Sequence, residues 1–211
     1  MSGLFNLTGK SAIVTGASSG LGRQFALALA REGADVAILA RRVEKLESVK
    51  AEIESLGVQC LAVKCDVLNN ENIKNAVAQV KNHFGKIDIL VNNAGIALFG
   101  PAEEQSDELW RAMVDMNLSS VYFVAREVGK VMIENNYGKI INTGSIHSTV
   151  AMPGLPLTAY CSTKGAVEML TKSLANEWAK YNITVNAIGP AYFPSEMTGE
   201  LVTNEDFLKV I

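Results

Sequence analysis

Short apolar runs rich in β-branched residues alternate with segments of helical periodicity along the whole chain. This alternation is typical of βαβ units, in which helices cover both faces of a sheet of parallel strands. The predicted strands cover residues 11–15, 35–40, 59–65, 87–92, 139–143 and 184–188. The predicted helices cover residues 21–32, 43–56, 71–84, 107–135 and 158–181. Because 211 residues also suit one domain, we expect a single α/β domain over residues 1–211 with a doubly wound parallel sheet.

Glycine follows four of the predicted helices, at positions where a left-handed residue commonly ends a helix. The four glycines are Gly33, Gly57, Gly85 and Gly138. We expect each of them to adopt this conformation and to end its helix.

The charge balance argues against two classes of partner. The chain has 19 Lys and Arg against 22 Asp and Glu, a net charge of −3, and offers no basic stripe for nucleic acid. No apolar run reaches the ~20 residues needed to cross a bilayer, so we expect no membrane partner. Residues 1–10 lack the basic start and apolar stretch of a secretory signal, which predicts a cytoplasmic protein.

The cysteines and histidines do not predict a metal centre. Cys60, Cys65 and Cys161 form no C-x-x-C pair, which argues against both a disulfide framework and a zinc site. We expect them to be small buried apolar residues. No pair of His or Cys residues has the spacing of metal ligands, so no metal is predicted.

A glycine-rich turn, T-G-A-S-S-G-L-G over residues 15–22, joins the first predicted strand to the first predicted helix. Backbone N–H groups and the positive end of the helix suit a pyrophosphate at such a turn. The alternative is a tight turn that needs glycine only for its backbone angles, but its place in the first βαβ unit favours binding. We therefore predict a Rossmann-type fold and a nucleotide site. The cofactor-binding residues predicted in this turn are Gly16, Ser18, Ser19, Gly20, Leu21 and Gly22.

The end of the second strand bears on which form of a dinucleotide cofactor is bound, because the ribose 2′ position docks there. Arg41 and Arg42 follow Leu39 and Ala40, and no carboxylate is present at this point of the sequence. Two guanidinium groups can bind a 2′-phosphate with charge-assisted hydrogen bonds. We predict NADP as the cofactor, with NAD as a second option. The alternative is that both arginines lie in a solvated helix start.

Tyr160 and Lys164 differ by four positions and share one face of a predicted helix. Tyrosine, with a pKa near ~10, is a poor base, but a neighbouring ammonium and an oxidised nicotinamide ring favour the phenolate. Such a tyrosine can take the proton of an alcohol as hydride leaves, or return it. Y-x-x-x-K alone is often a chance surface pair. Its position after the fifth strand of a nucleotide-binding fold favours catalysis.

The T-G-x-x-x-G-x-G spacing, the element Asn92-Asn93-Ala94-Gly95 and the Tyr160/Lys164 pair resemble the short-chain dehydrogenase/reductase family over nearly the whole chain. The resemblance implies hydride transfer between NAD(P) and a secondary alcohol or ketone. It also implies that Asp66 contacts the adenine amino group, although Asp66 could be an ordinary polar strand end. Further cofactor-binding residues that it implies are Val67, Asn93, Ala94, Gly95, Tyr160, Lys164, Pro190, Phe193 and Ser195.

The resemblance implies a catalytic set of Asn117, Ser145, Tyr160 and Lys164. Ser145 would bind the substrate oxygen, and Asn117 would hold a water that passes protons toward Lys164; a buried asparagine that kinks a helix is the alternative for Asn117. The separation of fifteen residues between Ser145 and Tyr160 is longer than is usual in the family, which leaves Ser148 as an alternative. The predicted substrate-binding residues are Ser145, His147 and Tyr160, with a solvated loop histidine as the alternative for His147.

Two features depart from the family. Ala191 follows Pro190 where the family has glycine, and the sequence stops at Ile211 where the family continues through a seventh strand. We expect either a truncated or incompletely defined version of the chain, which we favour, or an exposed edge at the sixth strand. Residues 190–211 are expected to form a substrate lid region.

The loops over residues 147–157 and 189–198 resemble those of family members that act on polyols or keto-sugar acids, which are gluconate 5-dehydrogenase-like enzymes. One alternative is a 3-oxoacyl-carrier-protein reductase, whose acidic partner would need a basic patch such as Arg111, Arg126 and Lys130. Another is a non-catalytic nucleotide-sensing module. The family resemblance also implies a homodimer or homotetramer formed through the long fifth and sixth helices.

Overall fold

Six parallel strands form one sheet in the order β3-β2-β1-β4-β5-β6. A computed structural model of the protein describes residues 5–196, 198–199 and 203. The strands are β1 (Ser11–Thr15), β2 (Asp35–Ala40), β3 (Cys60–Lys64), β4 (Ile89–Asn92), β5 (Gly138–Thr143) and β6 (Ile183–Ile188). Because the strand order reverses between β1 and β4, a crevice opens beyond their carboxyl ends. The prediction of a Rossmann-type α/β domain is confirmed.

Helices cover both faces of the sheet. They are α1 (Gly20–Arg31), α2 (Val43–Glu54), α3 (Asn70–Phe84), α4 (Asp107–Val114), α5 (Ser120–Glu134) and α6 (Thr158–Trp178). β1 shows how the two layers arise, because Ala12 and Val14 pack with the buried side chains of α1 and α2, whereas Ile13 packs with those of α3 and α5. Strands buried on both faces explain why the sequence shows continuous apolar runs rather than alternation.

The single helix predicted over residues 107–135 is wrong, because a π-helical turn over Asp115–Ser119 separates α4 from α5. The side chain of Asn117, in this turn, bonds both polar groups of the Ile96 backbone at 2.9 Å. A widened turn of this kind commonly marks a functional site. The α6 segment also ends earlier than predicted, since Ala179–Tyr181 forms a 3-10 turn.

A chain of buried amide hydrogen bonds joins β4, β5 and α6. Asn92 Nδ2 donates to Asn142 Oδ1 at 3.0 Å, and Asn142 Nδ2 donates to Thr171 Oγ1 at 2.9 Å. Thr171 in turn donates to the Val167 carbonyl at 2.7 Å. Buried polar groups are costly unless they are satisfied, so this chain fixes how α6 lies against the strand ends.

Three of the four predicted glycine positions are confirmed, since Gly33, Gly57 and Gly85 have φ values of 93°, 87° and 78°. The prediction for Gly138 is wrong. Gly138 is the first residue of β5, and the left-handed residue after α5 is Asn136, with a φ of 49°. Gly138 is required for a different reason, because a Cβ there would overlap the side chain of Met132, whose Cγ would lie only 2.8 Å away.

Of the predicted lid region, residues 197, 200–202 and 204–211 lie outside the described residues. The described residues of that region begin as a segment of irregular backbone directly after β6. In the described part of the chain, no helix has the length and apolar character that crossing a membrane requires.

The substitution Gly138→Ala tests the contact with Met132. Because both backbones are fixed by secondary structure, we expect a loss of about 1–3 kcal/mol in the free energy of unfolding, measured by urea denaturation. Gly100→Ala is the matched control, since a Cβ there would meet only Gln105 Cγ at an ordinary 3.6 Å, and it should stay within about 0.5 kcal/mol. Equal effects of the two substitutions would contradict the prediction.

Candidate functional site

A cleft of about 480 Å³ lies beyond the carboxyl ends of β1, β4 and β5. Its size and position are those of a cofactor site at the switch point of a parallel sheet. The predicted site residues that line it are Gly16, Ser18, Ser19, Gly20, Leu21, Arg41, Arg42, Asp66, Val67, Asn93, Ala94, Gly95, Ser145, His147, Tyr160, Lys164, Pro190, Phe193 and Ser195. Gly22 and Asn117 are the two predicted residues that lie behind this lining.

In the glycine turn, the backbone of residues 16–22 packs closely against itself and against the backbone of Ala94. A Cβ at Gly22 would overlap the carbonyl oxygen of Gly16, and a Cβ at Gly16 would lie 2.9 Å from Ala94 Cα. Gly22 is therefore required for packing, and it does not line the cleft. Ser19 precedes α1 in an extended conformation, and its side chain does not cap the helix. The first N–H groups of α1 are thus directed to the cleft without a side-chain acceptor from Ser19.

Thr15, which the sequence interpretation missed, holds the ends of β1 and β4 together. Its hydroxyl accepts from the N–H groups of Asn93 and Ala94 at 2.9 and 3.1 Å. Asn93 Nδ2 returns a bond to the Thr15 carbonyl at 3.1 Å. The signal in the sequence was the threonine that opens the glycine turn, since a hydroxyl at a strand end can satisfy the amides of the next strand.

Tyr160 and Lys164 share one face of α6, as predicted, and Lys164 Nζ lies 5.6 Å from the centre of the Tyr160 ring. The Lys164 side chain is almost fully buried and donates to the Thr143 carbonyl at 2.7 Å. A Cβ at Gly95 would lie 3.1 Å from Asn117 Oδ1 and 3.8 Å from Lys164 Nζ. Asn117 is therefore close to Lys164, behind Gly95, while its amide holds the Ile96 backbone.

Burial controls the protonation of both groups. Desolvation lowers the pKa of Lys164 to about 8. Burial also raises the pKa of Tyr160, and a hydrogen bond with Ser145 acts in the opposite direction without reversing the shift. The expected phenolate is therefore not produced by the protein's own groups. At neutral pH the Tyr160 hydroxyl keeps its proton, which suits a proton donor.

The structure distinguishes Ser145 from Ser148. Ser145 lines the cleft and acts to lower the pKa of Tyr160, and its Oγ accepts from the His147 N–H at 3.1 Å. Ser148 instead donates to the Lys164 carbonyl at 3.0 Å and accepts from the Ser145 N–H at 3.2 Å. Ser148 thus anchors the turn to α6, and Ser145 is the serine placed beside Tyr160.

His147 is not the solvated loop residue of the alternative interpretation, because only 4% of it is exposed. Its Nδ1 lies 2.9 Å from the Val150 carbonyl, and its Nε2 lies 2.6 Å from the Tyr192 hydroxyl. A carbonyl can only accept, so in the neutral ring Nδ1 carries the hydrogen and Nε2 accepts from Tyr192. Tyr192, which also lines the cleft, was missed because no motif surrounds it.

The two arginines at the end of β2 differ in their contacts. Arg41 is exposed, whereas Arg42 Nη2 donates to the hydroxyls of Ser18 and Ser19 at 3.0 Å each. Glu196 lies against the same guanidinium at 2.9 Å. A carboxylate therefore lies near the tip of β2 although none follows the strand in the sequence, because Glu196 comes 154 residues after Arg42. Hydrogen bonds from Lys45, Arg42 and Ser19 lower the pKa of Glu196.

The segment after β6 is fixed by backbone bonds to the end of β5. Gly144 N–H donates to the Ile188 carbonyl at 2.8 Å, and Ile146 N–H donates to the Pro190 carbonyl at 3.1 Å. Among the described non-glycine residues, positive φ occurs only at Asn136 and Asn182. Ala191 therefore takes the place of the family's glycine without backbone strain.

These residues fit a nicotinamide dinucleotide. The glycine turn and the start of α1 offer N–H groups for a pyrophosphate, and Arg42 lies where the adenosine ribose docks. Thr143 Oγ1, in the cleft lining, is the only buried side-chain oxygen or nitrogen in the described residues that has no hydrogen-bond partner. Buried polar groups without partners are rare, and such an atom in a cleft indicates a ligand contact.

A Rossmann-type sheet with a serine, a tyrosine and a buried lysine beside a dinucleotide cleft defines a class of oxidoreductases that transfer hydride. The profile of the short chain dehydrogenases matches residues 10–206. The chain belongs to this family and is an oxidoreductase.

Individual relatives agree with this assignment. The gluconate 5-dehydrogenase of Gluconobacter oxydans (strain 621H) is 40% identical over 97% of this chain and 79% of its own length. A 3-oxoacyl-[acyl-carrier-protein] reductase of Staphylococcus epidermidis (strain ATCC 35984) is 39% identical over 91% of this chain and 78% of its own. The crystal structure of a gluconate 5-dehydrogenase from Burkholderia cenocepacia J2315, in complex with NADP and tartrate, superposes with a TM-score of 0.91. It is 36% identical and covers 96% of this chain and 79% of its own.

The lowered pKa of Lys164 predicts a pH dependence of stability. Between pH 8 and 10.5 the unfolded chain binds more protons at this lysine than the folded protein, so its contribution to the free energy of unfolding rises with pH. Measured by urea denaturation, wild type should gain stability relative to Lys164→Met across this interval. Cys60 and Cys65 act with the opposite sign above pH 9, because burial raises their pKa values from 9.0 to about 12 and about 11, but they act equally in both proteins.

The exposed residue Lys172 provides a control for the loss of a lysine, as Lys172→Met. If the free energy of unfolding of wild type minus that of Lys164→Met stays constant or falls across the interval, the desolvation assigned to Lys164 is contradicted.

Proposed function

We propose that this protein transfers hydride between NADP and the secondary alcohol or ketone of a polyol or keto-sugar acid, with NAD as a second cofactor. The observation that carries the proposal is the convergence of Ser145, Tyr160 and Lys164 at one end of the cleft, with Arg42 at the other. A gluconate 5-dehydrogenase-like substrate suits both this site and the related enzymes.

Ser145, Tyr160, Lys164 and Asn117 are the proposed catalytic set. When bound, the nicotinamide ring supplies or removes the hydride. In the direction of reduction, Ser145 binds the carbonyl oxygen and Tyr160 gives its proton to that oxygen as the carbon is reduced. In oxidation Tyr160 takes the alcohol proton back. Lys164 stabilises the tyrosine oxygen whenever it is negative, and Asn117 positions the backbone beside Lys164.

NADP is supported by the cationic groups near the tip of β2. Arg42 reaches the glycine turn through Ser18 and Ser19, and Lys45 lies close by on the first turn of α2. Guanidinium and ammonium groups bind phosphate oxygens with strong charge-assisted bonds. The NADP in the structure of the Burkholderia relative is consistent with the same choice.

A polar substrate is supported by the hydrogen-bonded pair of His147 and Tyr192. The His147 ring packs edge-on against Tyr160, with 6.2 Å between ring centres, so the pair lies next to the proposed reacting oxygen. Since Tyr192 donates to His147, its oxygen can accept from a substrate hydroxyl. A substrate with several hydroxyl groups can donate to the Tyr192 oxygen, whereas a plain acyl chain cannot.

The charges on α4 and α5 give little support to an acidic carrier protein as partner. Lys130 and Arg126 both pair with the buried carboxylate of Glu127, at 2.7 and 2.9 Å, and Arg111 pairs with Asp107 at 3.4 Å. The proposed basic patch is therefore largely neutralised. A non-catalytic sensor is also less well supported, because nucleotide sensing needs neither a buried lysine nor a serine and a tyrosine at one end of the cleft.

A homodimer or homotetramer in the cytoplasm completes the proposal. Tyr122 on α5 and Met169 on α6 expose large apolar side chains on the two long helices. Exposed apolar groups on adjacent helices are typical of a contact surface between symmetric copies.

Tyr160→Phe tests the catalytic assignment. Without the hydroxyl, turnover should fall by about 10²–10⁴-fold, the usual contribution of a positioned proton donor, in an assay against polyols, sugar acids and β-ketoesters. The Kd for NADPH, followed by fluorescence titration, should change little. Tyr122→Phe is the control and should retain full turnover. A Tyr160→Phe enzyme as active as wild type would contradict the assignment.

Tyr192→Phe tests the substrate class. Loss of one hydrogen bond to a substrate hydroxyl should raise KM for a keto-sugar acid such as 5-ketogluconate by about tenfold. KM for a β-ketoester that lacks hydroxyl groups should not change. An equal rise for both substrates would show that Tyr192 shapes the cleft rather than recognising hydroxyl groups.

A further inference from the structure

Glu196 places a carboxylate where the glycine turn and the start of α2 bring donor groups together. Its Oε2 accepts from the Ser19 hydroxyl at 3.0 Å and from Arg42 Nη2 at 2.9 Å. Its Oε1 accepts from Lys45 Nζ at 2.5 Å. Both carboxylate oxygens are thus engaged by groups from two other parts of the chain.

This position coincides with the place for the 2′ substituent of an adenosine ribose. Arg42 follows the last residue of β2 by two positions, and its guanidinium also contacts Ser18 in the glycine turn. In a sheet of this order the ribose lies between the tip of β2 and that turn. A 2′-phosphate would therefore meet the donors that Glu196 occupies.

We propose that Glu196 sets the balance between NAD and NADP, by remaining on Arg42 and Lys45 when NAD is bound and by giving up these groups when NADP is bound. The inference rests on the proposed function, because it requires a nicotinamide dinucleotide in this cleft.

When NAD is bound, the Glu196 carboxylate replaces the acidic residue that is absent from the end of β2. A free ribose 2′-hydroxyl is a hydrogen-bond donor, and NAD-binding proteins usually meet it with an acidic residue at the end of the second strand. Here the strand is followed by Arg41 and Arg42, and the carboxylate comes instead from the segment after β6. Docked Glu196 also neutralises cations that would otherwise lie unpaired beside an uncharged ribose.

With NADP, the carboxylate and the phosphate compete for the same donors. The Glu196 side chain is 53% exposed, and ion pairs so open to water are weak. A phosphate carries more charge and three acceptor oxygens, and it binds guanidinium and ammonium groups more strongly. The phosphate therefore displaces Glu196, and the displacement reduces the apparent affinity for NADP.

The substitution Glu196→Gln removes this competition while keeping the shape of the side chain. Isothermal titration with NADPH, NADH and adenosine 2′,5′-bisphosphate measures the effect directly, without turnover. We expect the Kd values for NADPH and the bisphosphate to fall about threefold to tenfold, because the competing ion pairs of Glu196 with Arg42 and Lys45 are exposed and therefore weak. The Kd for NADH should change less. The ratio of the NADH and NADPH dissociation constants should rise accordingly.

Glu44→Gln is the matched control, since Glu44 is an exposed carboxylate in the first turn of α2, next in sequence to Lys45. This substitution removes one negative charge near Lys45, as Glu196→Gln does. The Kd values for NADPH and NADH should change by the same factor. In a Lys45→Met background the gain from Glu196→Gln should shrink, because the carboxylate then competes for fewer donors.

An unchanged ratio in Glu196→Gln, or the same change of ratio in Glu44→Gln, would overturn the role of Glu196 while leaving the proposed function intact. Failure of the wild-type protein to bind either NADPH or NADH would overturn the proposed function, and this inference with it.

Discussion

The junction between β1 and β4 is the constraint on which the site depends. These two strands are neighbours in space although β2 and β3 lie between them in sequence, and the crevice exists because the strand order reverses here. The Thr15 hydroxyl closes the junction by accepting from two successive amides, those of Asn93 and Ala94. This contact brings the glycine turn against the segment after β4 so closely that Gly16 has no space for a side chain. Backbone therefore packs closely against backbone at this side of the cleft.

At the chemical end, burial has opposite consequences for two neighbouring groups. It favours the neutral form of both Lys164 and Tyr160, which means that the lysine gives up its proton more readily and the tyrosine less readily. The hydrogen bond from Ser145 and any positive charge brought by a ligand act against the tyrosine shift. The protein thus leaves the final adjustment of Tyr160 to what binds beside it, which couples proton transfer to occupation of the cleft.

The sequence predicted the sheet and most of the site because those features are local. Strand runs, the glycine turn and the four-residue spacing of Tyr160 and Lys164 each lie within one element, and the fold brings them together as expected. The contacts it missed join distant parts of the chain. Glu196 reaches Arg42 from the far side of the cleft, Tyr192 reaches His147 across the gap between two loops, and neither pair leaves a pattern in the sequence. Gly138 was misassigned because glycine after a helix indicates a cap by default, whereas here it makes space for Met132.

The π-helical turn over Asp115–Ser119 has a consequence for the two helices that it joins. A turn of this type holds one residue more than the α-helical ladder requires, and each residue of an α-helix corresponds to about 100° of rotation. α4 is therefore rotated relative to α5, although the two helices follow one another directly. Deleting a single residue here would restore an uninterrupted ladder, but it would turn Met113, the buried residue of α4, away from its present contacts. The π-helical turn thus sets the rotation of α4 relative to α5. It also holds Asn117, at its centre, close to Lys164.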